Sequence, residues 1–464
     1  MTTDDTLPSV DVAIVGGGIS GLAAAYELQQ RGLSVRVLEA SSRPGGVIQT
    51  ECFGGWVIDG GPDALLAQKF TGVELCRQLG LGDRLVSTLE PRTAFVLHRG
   101  RLHALAEGSF LGFPVKFGAL ARTSLFSLRG KARMTCEAFM PTAGGDDESI
   151  ASFVRRRFGQ EAVDRLAEPL LAGIHAGAVE RLSMRALFPR LLDAEQQAGS
   201  ILRAARTRRV DSTSPGAFVS LPGGTGELTE ALAAALSPGT LELSTRVTDI
   251  RRPGTYVVET GATARRASAV LLAVPAYVAA GLFRTFDTTL AGLCDGIPYA
   301  STATVALGYN REQVRHPLKG TGFVVPRTEH NPLLAATWVS SKWAGRAPTG
   351  SVLLRAFLGG ARDPHRLDRE DQDLIKIAET ALADALGIDG PPLFARLARW
   401  TRQSPQHELG HPQRVAAIDA HLTAVPGLFV TGSGFRVIGI PDCIADGRAM
   451  AGRAADFLAR QRRK

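Results

Sequence analysis

The sequence predicts an α/β fold. A Rossmann-type nucleotide-binding domain is assembled from three chain segments. It is joined by an α+β substrate domain with an antiparallel sheet and by a helical domain. Three observations predict this. Val12-Ala13-Ile14-Val15 runs into Gly16-Gly17-Gly18-Ile19-Ser20-Gly21, and a second strand, 35–38, ends at Glu39. A second glycine turn, Leu221-Pro222-Gly223-Gly224-Thr225-Gly226, precedes a helical pattern and more strands up to about 282. A last strand, 427–432, meets a glycine and then a C-terminal helical pattern.

The opening turn carries the clearest chemistry. Residues 12–15 are continuously apolar, as a buried parallel strand requires. Gly16 makes the tight turn, Gly18 lets a pyrophosphate approach the backbone, and Gly21 lets the helix over about 21–31 pack closely on the sheet. That helix offers free N–H groups and a positive dipole end to the phosphate. Glu39 is placed to accept from ribose hydroxyls, and its charge repels a 2′-phosphate, which disfavours NADP. The strand, helix and acidic residue together separate this turn from an ordinary glycine loop. Arg43-Pro44-Gly45-Gly46 and Asp59-Gly60-Gly61-Pro62 then supply two more close backbone approaches. They suit FAD, whose flavin end extends past the first crossover, rather than NAD.

At 464 residues the chain is long enough for two or three domains. Hydrophobic content of 45% and charged content of 21% are ordinary for a globular protein. The net charge of +8 admits nucleic acid, a membrane surface or an anionic substrate as partner. No arginine block reads as a nucleic-acid arm, so no nucleic-acid partner is expected. No metal-ligand spacing occurs, so no metal is expected either. Cys52, Cys76, Cys136, Cys294 and Cys443 are scattered and odd in number, which points to a reducing compartment rather than a disulfide framework. The polar N-terminus is unlike a secretory signal. The uncharged stretch 267–283 contains Pro275 and reads as a buried strand leading into a loop, not as a spanning helix. The expected location is cytoplasmic, with peripheral contact to the cytoplasmic membrane as a further expectation.

That further expectation comes from 98–133. Arg99, Arg101, Lys116, Arg122, Arg129, Lys131 and Arg133 stand there against Glu107, interleaved with Phe110, Leu111, Phe113, Phe117, Leu120, Leu125, Phe126 and Leu128. Basic residues beside exposed apolar ones suit a helical face on an anionic bilayer. An ordinary helical subdomain with a solvated basic face has the same pattern, and both readings stay open. Residues 141–148 read as a linker, 149–206 as helices and 207–215 as a polar break. Residues 241–247 alternate like a strand and are followed by a hairpin partner near 256–259. Strand-like runs at 304–307, 322–325 and 352–357 predict the antiparallel sheet, and 371–386 predicts a helix. The domains expected are 1–64, 223–282 and 411–464 for the nucleotide; 65–97, 208–222 and 283–410 for the substrate; and 98–207 for the helical part.

Three further segments carry a resemblance. They are Leu166-Ala167-Glu168-Pro169-Leu170-Leu171-Ala172-Gly173-Ile174-His175-Ala176-Gly177, Pro405-Gln406-His407-Glu408-Leu409-Gly410-His411 and Gly439-Ile440-Pro441-Asp442-Cys443-Ile444. With the N-terminus, they resemble the FAD-dependent porphyrinogen oxidases within the monoamine-oxidase-like flavoproteins. The resemblance implies noncovalent FAD and the oxidation of a porphyrinogen by O2 in haem biosynthesis. Six hydrogens leave in three rounds of hydride transfer, each releasing H2O2, and no protein residue is required as a strong base. Cofactor contacts are implied at Gly16, Gly17, Gly18, Ile19, Ser20 and Gly21, at Glu39, Ala40, Arg43, Gly45 and Gly46, and at Gly60, Gly61, Pro62 and Asp63. Val247 would hold the adenine through its backbone, and Trp400, Ile438, Gly439 and Ile440 would lie near the flavin ring. Lys69 is implied to face a substrate propionate. Lysine there, with Gly-Ile-Pro-Asp-Cys at the end, leans toward coproporphyrinogen III over protoporphyrinogen IX. The chain departs from the family at Ala178, at Arg436-Val437 and at His175. Cys443 raises a covalent flavin as an alternative. His407 and His411 are expected to orient the loop after Trp400, and Phe323 and Trp338 to line the ring slot or the core. A flavin amine oxidase, a carotenoid desaturase and a flavoprotein scaffold without turnover are the competing readings. A monomer and a homodimer are both compatible with the sequence.

Overall fold

The computed structural model describes residues 7–106, 117–142, 145, 147–207, 216–252, 254–261 and 263–463. Strand β1 (Ser9–Val15) runs at the centre of the first sheet. Its residues Val12 to Val15 are buried on both faces, which is why the run is apolar without alternation. It pairs in parallel with β2 (Val35–Leu38) on one side and β3 (Ala264–Leu272) on the other. Leu241–Glu242 extends the sheet beyond β2, and Leu428–Val430 pairs in parallel with β3. The sheet therefore draws on three separate stretches of chain. An antiparallel hairpin, Val247–Arg251 with Tyr256–Thr260, completes it.

Helix α1 (Ile19–Gln30) presents Leu22, Ala23, Ala24, Ala25 and Leu28 to the core. The C-terminal helix, Ile440–Gln461, packs alongside it. The two touch at Gly447, where a Cβ would lie 2.3 Å from the Ser20 carbonyl oxygen. α1 starts at Ile19, earlier than the sequence pattern suggested, because Gly18 acts as its N-cap, and Gly439 caps the C-terminal helix in the same way.

Two local expectations are corrected, and one open reading is narrowed. Residues 241–247 do not form one strand: Ser244 adopts a left-handed φ of 51°, and the strand resumes at Val247. The segment after β3 is a helix, Ala276–Phe283, not a loop; Pro275 sits at its N-cap, where the missing N–H costs nothing. At 98–133, where the sequence leaves a membrane face and an ordinary helical subdomain both open, the described apolar residues are largely core. Leu120, Leu125 and Phe126 are buried with Met134 and Phe153, while Leu128 is 85% exposed. Glu107, Phe110, Leu111, Phe113 and Lys116, like most of the 207–215 break, lie outside the described residues, as does the Phe117 side chain.

The second sheet runs, in spatial order, β6 (Phe394–Pro405), β4 (Tyr299–Asn310), β5 (Ser351–Gly359), Ala335–Trp338, Gly322–Val324, Ala94–His98 and Arg101–Ala104. It is antiparallel except where Gly322–Val324 meets Ala94–His98. The hairpin carries this sheet to Ala104, beyond the boundary expected at 97. Helix Asp371–Leu386 covers one face through Leu374, Ala378 and Leu382. Helices between Leu128 and Thr207 form a separate core. Within it Arg157 and Glu137, both fully buried, form an ion pair whose remaining valences go to Met140, Gly199, Ser200 and Ile201. Among the described residues no helix is long and apolar enough to cross a membrane.

Candidate active site

At the C-terminal end of β1 the chain turns at Gly16, with φ of 104°. A Cβ on Gly21 would lie 2.0 Å from the Gly16 carbonyl oxygen, so only glycine lets α1 sit this close. A Cβ on Gly18 would meet nothing within 4 Å. Gly18 thus borders open space at the start of a helix with no side-chain cap and no acidic residue in its first turn. This cradle suits a pyrophosphate, whose charge would meet the N-terminal N–H groups. Glu39 lies beside it: Oε2 accepts from the Gly17 N–H at 2.6 Å, and Oε1 from the Ser41 N–H at 2.8 Å. Ala40 links these two anchored residues. The Thr245 N–H donates to the Glu39 carbonyl at 2.7 Å, which brings the strand beginning at Val247 to the same edge.

The second glycine pair is laced to the first. The Gly45 N–H donates to the Gly17 carbonyl at 2.8 Å. Arg43 donates to the carbonyls of Ile48 at 3.0 Å and Gly46 at 2.7 Å, so its guanidinium shapes this loop. Residues 59–63 are bolted to the second sheet. Trp400 Nε1 and Thr304 Oγ1 both donate to the Gly60 carbonyl, at 2.9 and 2.7 Å, and Arg355 donates to those of Asp59 and Gly61. A Cβ on Gly61 would lie 1.9 Å from the Val47 carbonyl oxygen. Ile438, Gly439 and Ile440 form the entry to the C-terminal helix, with Gly439 at φ of 98°.

A cavity of about 650 Å³ opens beside this segment, between the second sheet and helix α2 (Glu168–His175). Such a volume is within the range of small-molecule sites, roughly 300–1,000 Å³. Gly61, Pro62, Asp63 and Trp400 form one part of the wall, and Ile174, Phe323, Leu334 and Phe357 supply apolar surface. Phe323 is thus on the wall, whereas Trp338 is core, packed on Phe95 and His316. α2 is tied to the sheet domain by Glu168, which accepts from the Arg327 N–H at 3.0 Å and pairs with Arg362 at 3.4 Å.

The charges on that wall are Asp63, Lys342, Arg355 and Arg92. Lys342 Nζ lies 2.9 Å and Arg355 3.3 Å from Asp63 Oδ2, and Trp343 Nε1 donates to the same oxygen at 3.3 Å. Burial would raise the Asp63 carboxyl, but the two cations outweigh it and hold it well below the usual carboxylate range. Sequence reasoning missed these cations. The one signal was Arg355 itself, a charge inside the apolar run of β5. Arg92 donates to the Thr88 carbonyl and pairs with the largely exposed Glu90 at 3.2 Å, leaving donors at the rim. Arg92 and Lys342 both flank residues 88–89 and 216–218, so the cations gather at one end. Lys69 is not on this wall. It starts helix Phe70–Gln78 and forms a half-exposed ion pair with Asp442, which draws its ammonium to the C-terminal helix instead.

The remaining singled-out residues are structural. Burial pushes the Cys443 thiol up to about 12, so it holds no nucleophilic thiolate for a flavin bond at neutral pH. Arg436 pairs with Asp419 and donates to the Val430 carbonyl at 3.0 Å, capping the edge strand Leu428–Val430. Ala178 serves through its carbonyl, which accepts from Arg181 and Leu182. His407 and His411 stack at 3.8 Å and hold the loop before Gly439, not the one after Trp400. Their Nε2 atoms contact the carbonyls of Ser433 and Phe435 at 2.9 and 2.6 Å.

Burial lowers all three neighbouring histidines: His175 to about 4, His407 to about 3, and His411 in the same direction. The unfolded chain takes up these protons near pH 6.5 and the folded one does not, so stability falls as pH drops from about 7 toward 4. At pH 5 a histidine shifted this far costs about 2 kcal/mol. The expected result is a Tm that falls between pH 7.5 and 5, with a shallower fall in His407→Gln. Equal slopes in thermal melts would contradict it.

The fold and the glycine cradle define a flavoprotein oxidoreductase. The chain belongs to the flavin containing amine oxidoreductase family, whose model matches residues 19–455, and its cofactor is FAD. Within that family it is one of the porphyrinogen oxidases. It is 35% identical to the coproporphyrinogen III oxidase of Bacillus subtilis, over 96% of this chain and 98% of that one. It is 31% identical to the coproporphyrinogen III oxidase of Staphylococcus aureus, over 95% and 98%. A crystal structure from Exiguobacterium, provisionally named a protoporphyrinogen oxidase, superposes with a TM-score of 0.87 at 31% identity, over 97% and 99%.

Proposed function

We propose that this chain oxidises coproporphyrinogen III to coproporphyrin III, with O2 as acceptor. One observation carries the substrate class: a largely apolar cavity of about 650 Å³ whose wall carries Arg92, with Lys342 and Arg355 paired on Asp63. A wide apolar cavity with a cation on its wall suits a tetrapyrrole macrocycle bearing propionates. The relatives named coproporphyrinogen III oxidase support the choice of substrate.

Bound FAD would supply two-electron hydride-accepting chemistry, reoxidised by O2 to H2O2, and three such rounds would account for the six hydrogens lost per porphyrin. The cradle at Gly16, Gly18 and Gly21 would hold its pyrophosphate, with Glu39 at the ribose and Val247 beside the adenine. Arg43 would fix the Gly45-Gly46 loop against it. The chain's own groups position the substrate and keep water out. Ile174, Phe323, Leu334 and Phe357 press on the ring faces, and Arg92 receives a propionate. Asp63 does not serve as a base, because its oxygens are committed to Lys342, Arg355 and Trp343. The pyrrole N–H protons leave instead by tautomerisation once a bridge carbon is oxidised, and aromatisation drives the sequence forward.

One observation favours protoporphyrinogen IX as a second reading: its two propionates share an edge, and the wall offers its available cation, Arg92, on one side. Porphyrin fluorescence with each porphyrinogen separately decides between them, and no fluorescence from either would sink both. Arg92→Ala is expected to raise KM about 10–100-fold with little change in kcat, the loss of one charge-assisted contact. Lys69→Ala is expected to leave KM unchanged. An unchanged KM in Arg92→Ala would remove Arg92 from substrate binding. Peripheral contact with an anionic membrane is proposed for the basic face around Arg122, Arg129 and Lys131, next to exposed Leu128.

A further inference from the structure

A second concavity of about 420 Å³ lies between the hairpin Ala94–His98/Arg101–Ala104 and the helical region. Its walls carry Arg99, Arg101, Arg165, His98, His103 and Ser124. The framework is fixed. His103 Nδ1 lies 2.8 Å from Ser124 Oγ, and its Nε2 lies 3.2 Å from the His98 carbonyl. Glu329 takes His98 Nδ1 at 2.9 Å and the Arg99 N–H at 2.7 Å, holding Arg99 at a left-handed φ of 51° in the tight turn.

Among the described residues the two carboxylates nearby are already spent. Glu329 faces His98 and the Arg99 backbone. Glu161 pairs with Arg165 and accepts from the Ser127 N–H and hydroxyl at 2.9 and 2.8 Å. Among the described residues the guanidinium groups of Arg99 and Arg101 have no partner, although they flank one turn over one cleft. Two free guanidinium forks over one cleft suit a phosphate group, whose several charged oxygens can accept a charge-assisted pair of bonds from each. Exposed Leu128 follows directly on Ser127 at the cleft's edge.

We propose that this cleft binds a phosphate group, a phosphodiester or phosphomonoester, held by Arg99 and Arg101. The group is carried by an anionic lipid or by a soluble phosphoester. This site is separate from the cavity assigned to the porphyrinogen, and it is narrower than the basic-face contact proposed above.

The test uses the full-length FAD-loaded protein in two arms. One is sedimentation with vesicles of phosphatidylcholine alone and of phosphatidylcholine with an equal part of phosphatidylglycerol. The other is calorimetric titration with inorganic phosphate. Arg99→Asn/Arg101→Gln removes both guanidiniums, and asparagine tolerates the left-handed turn. Arg129→Gln/Lys131→Gln is the charge-matched control. Wild type is expected to bind phosphatidylglycerol vesicles about tenfold or more tightly than the cleft variant. The control, which removes charge from the neighbouring basic face, should lose clearly less and should bind inorganic phosphate like wild type. Phosphate binding without vesicle binding, lost in the cleft variant, would assign a soluble ligand and uphold the cleft. Equal loss in both variants would leave only a general basic face and overturn the cleft. Binding by neither arm in wild type would overturn it as well. Arg99→Lys/Arg101→Lys, which keeps the charge, should retain part of the binding.

Discussion

Gly21→Ala is expected to elute from gel filtration without flavin absorbance and with a lowered Tm, whereas Gly18→Ala is expected to lose flavin with its fold intact. The two glycines fail for different reasons. At Gly21 the new Cβ meets the Gly16 carbonyl oxygen at 2.0 Å and the Ala273 Cβ at 3.1 Å, and both neighbours are parts of the sheet edge. The helix must back away by more than an ångström, at about 1–3 kcal/mol for the overpacking. Its N-terminus then leaves the cradle. At Gly18 the backbone is extended, φ of −72°, and the Cβ has open space, so folding costs little. That space is where the pyrophosphate is proposed to approach. A loss of about 2–3 kcal/mol there corresponds to about 30–150-fold in FAD affinity. Flavin titration and melts of the apo proteins separate the cases. Normal FAD binding by Gly18→Ala would refute the cradle.

The opening turn was legible because its chemistry is backbone chemistry. Where a glycine is required by a carbonyl at 2.0 Å, the letter in the sequence reports the geometry directly. The same holds for the long strands β4 and β5 and for helix Asp371–Leu386, whose periodicity is strong. The cavity charges were not legible. Asp63 was read as a cofactor contact, yet its carboxylate meets Lys342 and Arg355, far away in sequence. Only the folded sheet brings them together. Lys69 matches a family position, but its ammonium pairs with Asp442, a residue that no local pattern links to it. The burial of Leu120, Leu125 and Phe126 was not legible, because short helices with basic residues between apolar ones read the same whether the apolar face is covered or exposed. Their burial depends on what packs above them, which local sequence does not encode.

Asp63→Ala is expected to be the most destabilising polar substitution in the cavity, and Lys342→Met is expected to repair part of it. Among the described residues Asp63 is the carboxylate of the cavity wall, against Lys342, Arg355 and Arg92. Removing it leaves Lys342 and Arg355 facing each other, desolvated and without their shared acceptor. Breaking such a buried pair costs about 3–5 kcal/mol, since an uncompensated charge stays behind. Replacing Lys342 at the same time removes one of the stranded cations, so the double variant should be more stable than Asp63→Ala alone. The sign of that coupling is the informative result. If Asp63 were held chiefly for contact with the flavin, Asp63→Ala would lose FAD while its apo form melted like wild type, and Lys342→Met would rescue nothing. If the triad sets the wall, the apo form itself melts lower, and Asp63→Asn falls between the two. The same triad also explains why Arg92 is the cation available to a propionate. Lys342 and Arg355 are held on Asp63, and freeing them in Asp63→Asn should lower KM for the carboxylate-rich substrate even as stability falls.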